Sequence, residues 1–218
     1  FVALNFLEGA TMFKYSMIVV GLVVALLLGA CADETTAPNV NDGLQANKGA
    51  PKKGTDPIAQ IAIDEGFGEL VGALSYVADE LGTGLVDLFM NGKDQYTVFA
   101  PTDLAFENLY ALLSDVLNTP IDEITDIPVE VVRDVLFYHV TDGRRASNSV
   151  VPKRGERAIT PLLEEMFFVR TDLSIRDGLT GLRTDASIET PNISASNGII
   201  HVITEVIVPP SVVAALTN

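Results

Sequence analysis

Histidine and cysteine, the side chains most used as nucleophiles, proton shuttles and zinc ligands, are scarce in this chain, and their spacing narrows the choice further. The 218 residues contain two histidines, His139 and His201, and one cysteine, Cys31. These are too few for a zinc site of the usual kind, built on several His and Cys ligands, and neither a His-x-x-x-His nor a Cys-x-x-Cys pair occurs. There is no Gly-x-Ser-x-Gly turn to present a nucleophilic serine, and no Gly-x-x-x-x-Gly-Lys phosphate loop. Glu164 and Glu165 are adjacent, so their side chains diverge on helix or strand and do not form an acid/base pair. No catalytic residue, metal ligand or cofactor is therefore assigned, and the chain reads as a binding or structural protein rather than an enzyme.

His139 lies one helical turn after Val135, beside Val132 and Leu136. That apolar setting predicts a buried histidine with a hydrogen-bond partner; the alternative is a ligand contact made together with Tyr138. His201, in an apolar strand, is expected to be structural. The basic residues Arg144, Arg145, Lys153, Arg154 and Arg157 form a cluster. They either balance charge on an exposed hairpin or dock an anionic group such as a uronic acid. The formal net charge of −15 repels phosphates, which argues against nucleic acid as a partner.

The elements that must position these residues follow a change of composition along the chain. Residues Met17 to Ala30 are almost all apolar, with Lys14 before them and Cys31 after. A positive start, a short apolar core and small residues at its end describe a signal peptide over residues 12–30, too short for a permanent span. Leu28-Gly29-Ala30-Cys31 resembles the bacterial lipobox, whose cysteine is lipidated, so Cys31 is the expected lipidation site and the membrane the expected partner of the N-terminal lipid. Residues 1–11 precede Met12 and read as an upstream misreading of the start site or a fragment end. From Cys31 to Asp56 the small, polar composition predicts a disordered tether. The folded domain is expected over 57–212, with a tail at 213–218.

Within the domain, apolar spacing predicts a helix opened by Pro57, a second from Phe67 to Leu81 ended by Gly82, and a third from Leu85 to Met90. Tyr96 to Ala100 reads as a strand. Thr102 or Asp103 caps the next helix, whose expected apolar face is Ala105, Leu109, Leu112, Leu113 and Val116. Pro128 opens another helix. Short strands are expected at Ser149–Val151, Arg157–Thr160, Met166–Thr171, Leu173–Arg176 and Ser187–Glu189. Asn197-Gly198, which tolerates φ > 0, predicts a hairpin turn before a buried strand stopped by Pro209-Pro210. Helices first and strands later indicate an α+β domain.

Three segments, in this order and spacing, resemble the fasciclin-like (FAS1) domain family: Thr97-Val98-Phe99-Ala100-Pro101-Thr102-Asp103-Leu104-Ala105-Phe106, Val135-Leu136-Phe137-Tyr138-His139-Val140, and Ala195-Ser196-Asn197-Gly198-Ile199-Ile200-His201-Val202-Ile203. The resemblance implies a wedge-like β-sandwich with helices packed along one side and edge. In animal members adhesion involves the Tyr-His segment and an acidic motif before the Asn-Gly turn. The matching residues here are Tyr138, His139, Pro191, Asn192 and Ile193, with Asn192 where the motif has Asp and Thr190 where it has Glu. Losing those carboxylates counts against metal-bridged, integrin-like recognition. Together with the lipobox, the resemblance implies a lipid-anchored bacterial cell-envelope protein, periplasmic or surface-exposed, whose single FAS1 domain serves adhesion or binds an extracellular or envelope protein or a polysaccharide. The alternative is a structural envelope or matrix component without a specific ligand.

Overall fold

The computed structural model describes residues 52–216. The expectations for residues 1–11, the signal peptide, Cys31 and most of the tether lie outside the described residues. Three helices come first: α1 (Ile58–Asp64), α2 (Gly68–Leu81) and α3 (Leu85–Asn91). Gly82 ends α2 in the left-handed conformation, φ 61°, which lacks a steric penalty only for glycine. Strand β1 (Tyr96–Pro101) leads into α4 (Asp103–Leu117), and Thr102 is the cap, its hydroxyl accepting from Ala105 N at 3.3 Å. Asp103 instead serves a different helix. Its Oδ1 accepts from Glu69 N at 2.9 Å, so a carboxylate from α4 sits at the positive end of α2.

A single 3₁₀ turn (Ile124–Asp126) precedes α5 (Val129–Tyr138), after which the chain forms β2 (Val140–Asp142), α6 (Ser147–Val150), β3 (Glu156–Ile159), β4 (Phe167–Arg170), β5 (Ser174–Arg176), β6 (Ala186–Ala195), β7 (Gly198–Ile203) and α7 (Pro210–Leu216). The strands form a seven-stranded sheet in the order β2-β1-β7-β6-β5-β4-β3. Strands β1 and β7 are parallel and run side by side along their whole length, with Phe99 opposite His201. The sheet bends until its ends nearly meet: Leu162 N donates to Val140 O at 2.7 Å, and Thr141 Oγ1 to Thr160 O at 2.7 Å. The architecture is α+β, with helices along one side of a sheet that almost closes into a barrel.

Strands β1 and β7 are buried at every position, because both faces of the sheet are covered. Val98, Ala100, Ile200 and Val202 pack with the helices in one core. Phe99 and Ile203 turn to the barrel interior and join Tyr138, Val150, Ile159, Phe167 and Ile175 in a second. Phe167 meets Phe99 and Tyr138 edge-to-face, at ring separations of 5.0 and 5.5 Å.

Several local expectations are corrected. Ser149–Val151 is no strand. Asn192 Oδ1 accepts from Ser147 N at 2.7 Å and its Nδ2 donates to Ser147 Oγ at 2.8 Å, which starts the helical turn α6 instead. Strand β6 runs far beyond Ser187–Glu189, because the sheet absorbs Pro191 in an irregularity between Thr190 and Ile193. Val116 is exposed; Phe106 and Tyr110, both larger, turn the buried stripe of α4 toward themselves. Strand β2 is three residues long, too short for an alternation pattern to show. Pro210 not only stops an extended run but opens α7, so residues 213–216 are helix rather than tail.

Two further corrections concern the Asn197-Gly198 pair and the tether. The β6–β7 turn is present, with Ala195 opposite Gly198, yet neither Asn197 nor Gly198 has a positive φ. Asn197 is used for its amide: Oδ1 accepts from Ile58 N and Nδ2 donates to Phe89 O, both at 2.8 Å, so it caps α1 and ties down α3. Gly198 is needed for close approach, since a Cβ there would lie 2.2 Å from Tyr96 O. The described end of the expected tether, residues 52–56, is bound to the domain. Gly54 N donates to Ala195 O at 3.3 Å, Ser196 N to Asp56 O at 2.7 Å, and Lys52 O accepts from Ser194 Oγ and from Arg144 Nη2. Composition reports a segment's lack of apolar side chains; it does not register backbone groups satisfied by a neighbouring hairpin.

Candidate functional site

The two segments singled out by resemblance have opposite surroundings. Tyr138 and His139 end α5, and one residue of helical rotation sends them into different cores. Tyr138 is fully buried in the barrel, its hydroxyl donating to Met166 O at 3.2 Å. Burial pushes its phenol pKa well up, and Asp177 and Glu165 act in the same direction. His139, 2% exposed, faces the helices. Its Nδ1 lies 2.7 Å from Val135 O and its Nε2 accepts from Ile207 N at 3.1 Å. A carbonyl on one nitrogen and an N–H on the other require the neutral ring with its proton on Nδ1. A second proton would point at the Ile207 N–H. Burial pulls its pKa down to about 4, with Arg183 contributing and the Val135 carbonyl opposing.

His201 is held the same way with the tautomer reversed. Its Nε2 donates to Arg145 O at 2.9 Å, and its Nδ1 accepts from Asn192 N at 3.3 Å. Burial lowers its pKa as well. Neither histidine has a nitrogen left for substrate or metal. Among the described residues no group of three or more His, Cys, Asp or Glu is arranged to hold a metal ion.

The surface part of the candidate set is the irregular stretch of β6. Pro191 is exposed, while Asn192 and Ile193 are half-buried. Asn192 has φ 69°, a left-handed conformation that asparagine tolerates better than most residues. Its amide is committed to Ser147 and its N–H to His201, so it is a bracket that holds the bulge against α6. It offers no carboxylate to a partner's metal. Beside it lie Asn148 and Ser149, both exposed, and Ser149 O accepts from Arg157 Nη1. The structure therefore joins Pro191–Ile193 to part of the basic cluster and separates both from Tyr138 and His139.

The cluster itself divides. Arg144 is a clamp whose guanidinium donates to Ala195 O at 2.8 Å, to Gly198 O and to Ser194 Oγ. Arg145 N donates to Thr97 Oγ1 at 2.8 Å, and its Nε to Asp142 O at 3.0 Å. Lys153, Arg154 and Arg157 are exposed. The residues that sequence reasoning missed are those of α6, hidden by reading Ser149–Val151 as a strand. The run Ala146-Ser147-Asn148-Ser149, small and polar, is a helix-start signal that favours the observed turn.

This arrangement places the signature segments in adjacent parallel strands and around a shared turn, and a family comparison decides what they belong to. The model of the fasciclin domain matches residues 70–209. The chain belongs to the fasciclin domain family. Among curated relatives of this fasciclin domain protein is the immunogenic protein MPB70 of Mycobacterium bovis, 28% identical over 196 residues, covering 87% of this chain and 90% of that protein. Immunogenic protein MPT70 of Mycobacterium tuberculosis matches to the same extent. Protein sll1483 of Synechocystis is 31% identical over 121 residues, 56% of this chain and 59% of that protein. A solved domain pair from the insect cell adhesion molecule Fasciclin I superposes with a TM-score of 0.51 at 12% identity, over 72% of this chain and 52% of that one. At that identity the likeness shows the fold of the fasciclin domain and nothing more.

Proposed function

We propose that this is a lipid-anchored bacterial envelope protein whose fasciclin domain binds a protein or a glycan in adhesion or surface contact. It acts as a binding module and not as an enzyme. The observation that carries the reading is the surface at Pro191–Ile193 and α6. A bulge in a long strand is held rigid by the Asn192–Ser147 bracket and lies beside exposed basic side chains in an otherwise acidic protein. Preorganised loops of this kind lose little entropy on binding. Both histidines are neutral and fully bonded, which supports the absence of acid/base chemistry.

The test is a screen of the soluble chain against envelope-protein and glycan arrays, repeated with Pro191→Arg. Pro191 is exposed, so the variant should leave the core packing untouched, which an unchanged unfolding midpoint checks. Saturable binding lost in the variant supports the site; binding to nothing supports the structural role. The anchor is tested separately: Cys31→Ala should abolish incorporation of labelled palmitate and release the protein from membranes. A variant that still incorporates label at the normal level sinks the anchor reading.

A further inference from the structure

The helix side of the domain encloses a cavity of about 110 Å³, and none of its lining residues belongs to the Pro191–Ile193 surface. Its wall comes from α2 (Leu70, Ala73), α4 (Leu113, Leu117), α5 (Val132) and α7 (Leu216), together with the 3₁₀ turn. Among the described residues, the only side chains with polar atoms in its lining are Asp126 and His139. Asp126 Oδ2 already accepts from Asp122 N at 2.9 Å and Glu123 N at 3.1 Å. Both nitrogens of His139 are bonded within the protein. Asp126 is exposed at the edge, and inside it the described wall is apolar, which leaves an ordered water without the two to four polar partners it needs. An apolar cavity of roughly 150 Å³ in another protein stays dry and takes up benzene; this one is smaller but open at one edge, so a hydrocarbon group of about six carbons fits with part of its surface at the opening.

Charge at the mouth narrows the ligand further. The cavity reaches the surface beside Leu117, which is 38% exposed, and Ile124, which is partly exposed. The segment from residue 115 to 130, which carries that edge, includes Asp115, Asp122, Glu123, Asp126 and Glu130 and no lysine or arginine. A carboxylate or phosphate headgroup would meet like charges there.

We propose that the cavity between α2, α4, α5 and α7 is a binding site for an uncharged hydrocarbon group of about six carbons, either the alkyl tail of a neutral lipid or a compact apolar small molecule.

The experiment follows methyl NMR signals of Leu70, Leu113 and Val132 in the full chain during titration with cyclohexane, 1-octanol, monooctanoylglycerol and octanoate at neutral pH. Saturable shifts are expected with the three uncharged probes, and at least about tenfold weaker binding of octanoate, the same chain with a charge near the acidic mouth. Tighter binding of the two chain ligands than of cyclohexane assigns a lipid tail; the reverse assigns a compact molecule. Ala73→Leu fills the cavity from α2 and should abolish the shifts. Leu117→Lys, at the exposed rim of the wall, places a positive charge at the mouth and should bring octanoate to at least the affinity of octanol. The proposal is overturned by an absence of saturable shifts, by octanoate binding as tightly as octanol to the wild type, by a folded Ala73→Leu variant with unchanged affinity, or by Leu117→Lys leaving the ratio of octanoate to octanol where it was.

Discussion

The end of α5 and the bulge of β6 hold residues of the same candidate set, yet one is interior and the other surface. Tyr138 and His139 are sealed in two different cores and satisfy their polar atoms on backbone groups. Pro191 is exposed, and Asn192, half-buried, spends its amide on bracing the loop around it. The difference teaches that a family signature can mark two unlike requirements. A buried polar residue must be matched atom for atom to its partners, because an unpaired group in low dielectric is costly. An exposed residue is constrained only by backbone shape and by whatever it touches in a partner. The first kind should register in stability, the second in binding.

The sharpest way to break this comparison is His139→Ala. It leaves a cavity and an unpaired Ile207 N–H, at about 1–3 kcal/mol for each effect, so a loss of about 3 kcal/mol is expected in urea denaturation. Binding at the Pro191–Ile193 surface by the folded fraction should be unchanged. Lost binding with an unaltered unfolding midpoint would move His139 from core to site.

Next in size is the pH dependence that the same residue imposes. Its folded pKa, about 4, lies below the ordinary 6.5, so between those values the unfolded chain binds more protons. The contribution is complete above about pH 6.5 and is lost as pH falls towards about 4, roughly 3 kcal/mol in all. His201 acts in the same sense. NMR titration of the His139 ring should find it uncharged at pH 5.5; a midpoint near 6.5 would contradict the tautomer assigned from its two hydrogen bonds.

A smaller effect is expected at the bracket. Asn192→Gly keeps access to φ 69° and deletes both side-chain bonds to Ser147. A loss of about 1–2 kcal/mol should follow, with faster amide exchange in α6 than in β7. Equal protection in the variant and the wild type would show that α6 stands without Asn192. The smallest effect should come from Arg154→Ala, an exposed change expected to move stability by less than about 0.5 kcal/mol. A larger loss would mean that the basic side chains serve the fold rather than a partner.

Much of the architecture was legible in residue order. Pro57, Gly82, Thr102 and Pro128 mark helix boundaries through local backbone preferences, and those preferences operate whatever the tertiary surroundings. The β-branched run after Asn197-Gly198 could only be a buried strand. The family itself was readable from three short segments, because their order and spacing are a one-dimensional property. So was the scarcity of histidine and cysteine, since a side chain absent from the sequence cannot be supplied by folding.

What the tertiary structure decided are the partners. Asn197 and Gly198 were visible as a turn, but only contact with Ile58, Phe89 and Tyr96 shows that one is an anchor and the other a gap for a neighbouring strand. Ser147–Val150 became a helical turn, and residues 52–56 a bound strap, through groups 45 to 142 residues away along the chain. His139 and Tyr138, neighbours in sequence, went to separate cores because one step along a helix is a large rotation. The apolar cavity belongs to no segment at all. Each of its helices has an ordinary apolar face, and only their mutual distance leaves the space unfilled. Periodicity tells which side of an element turns inward; the gap between two inward faces is set by how every other element packs around them.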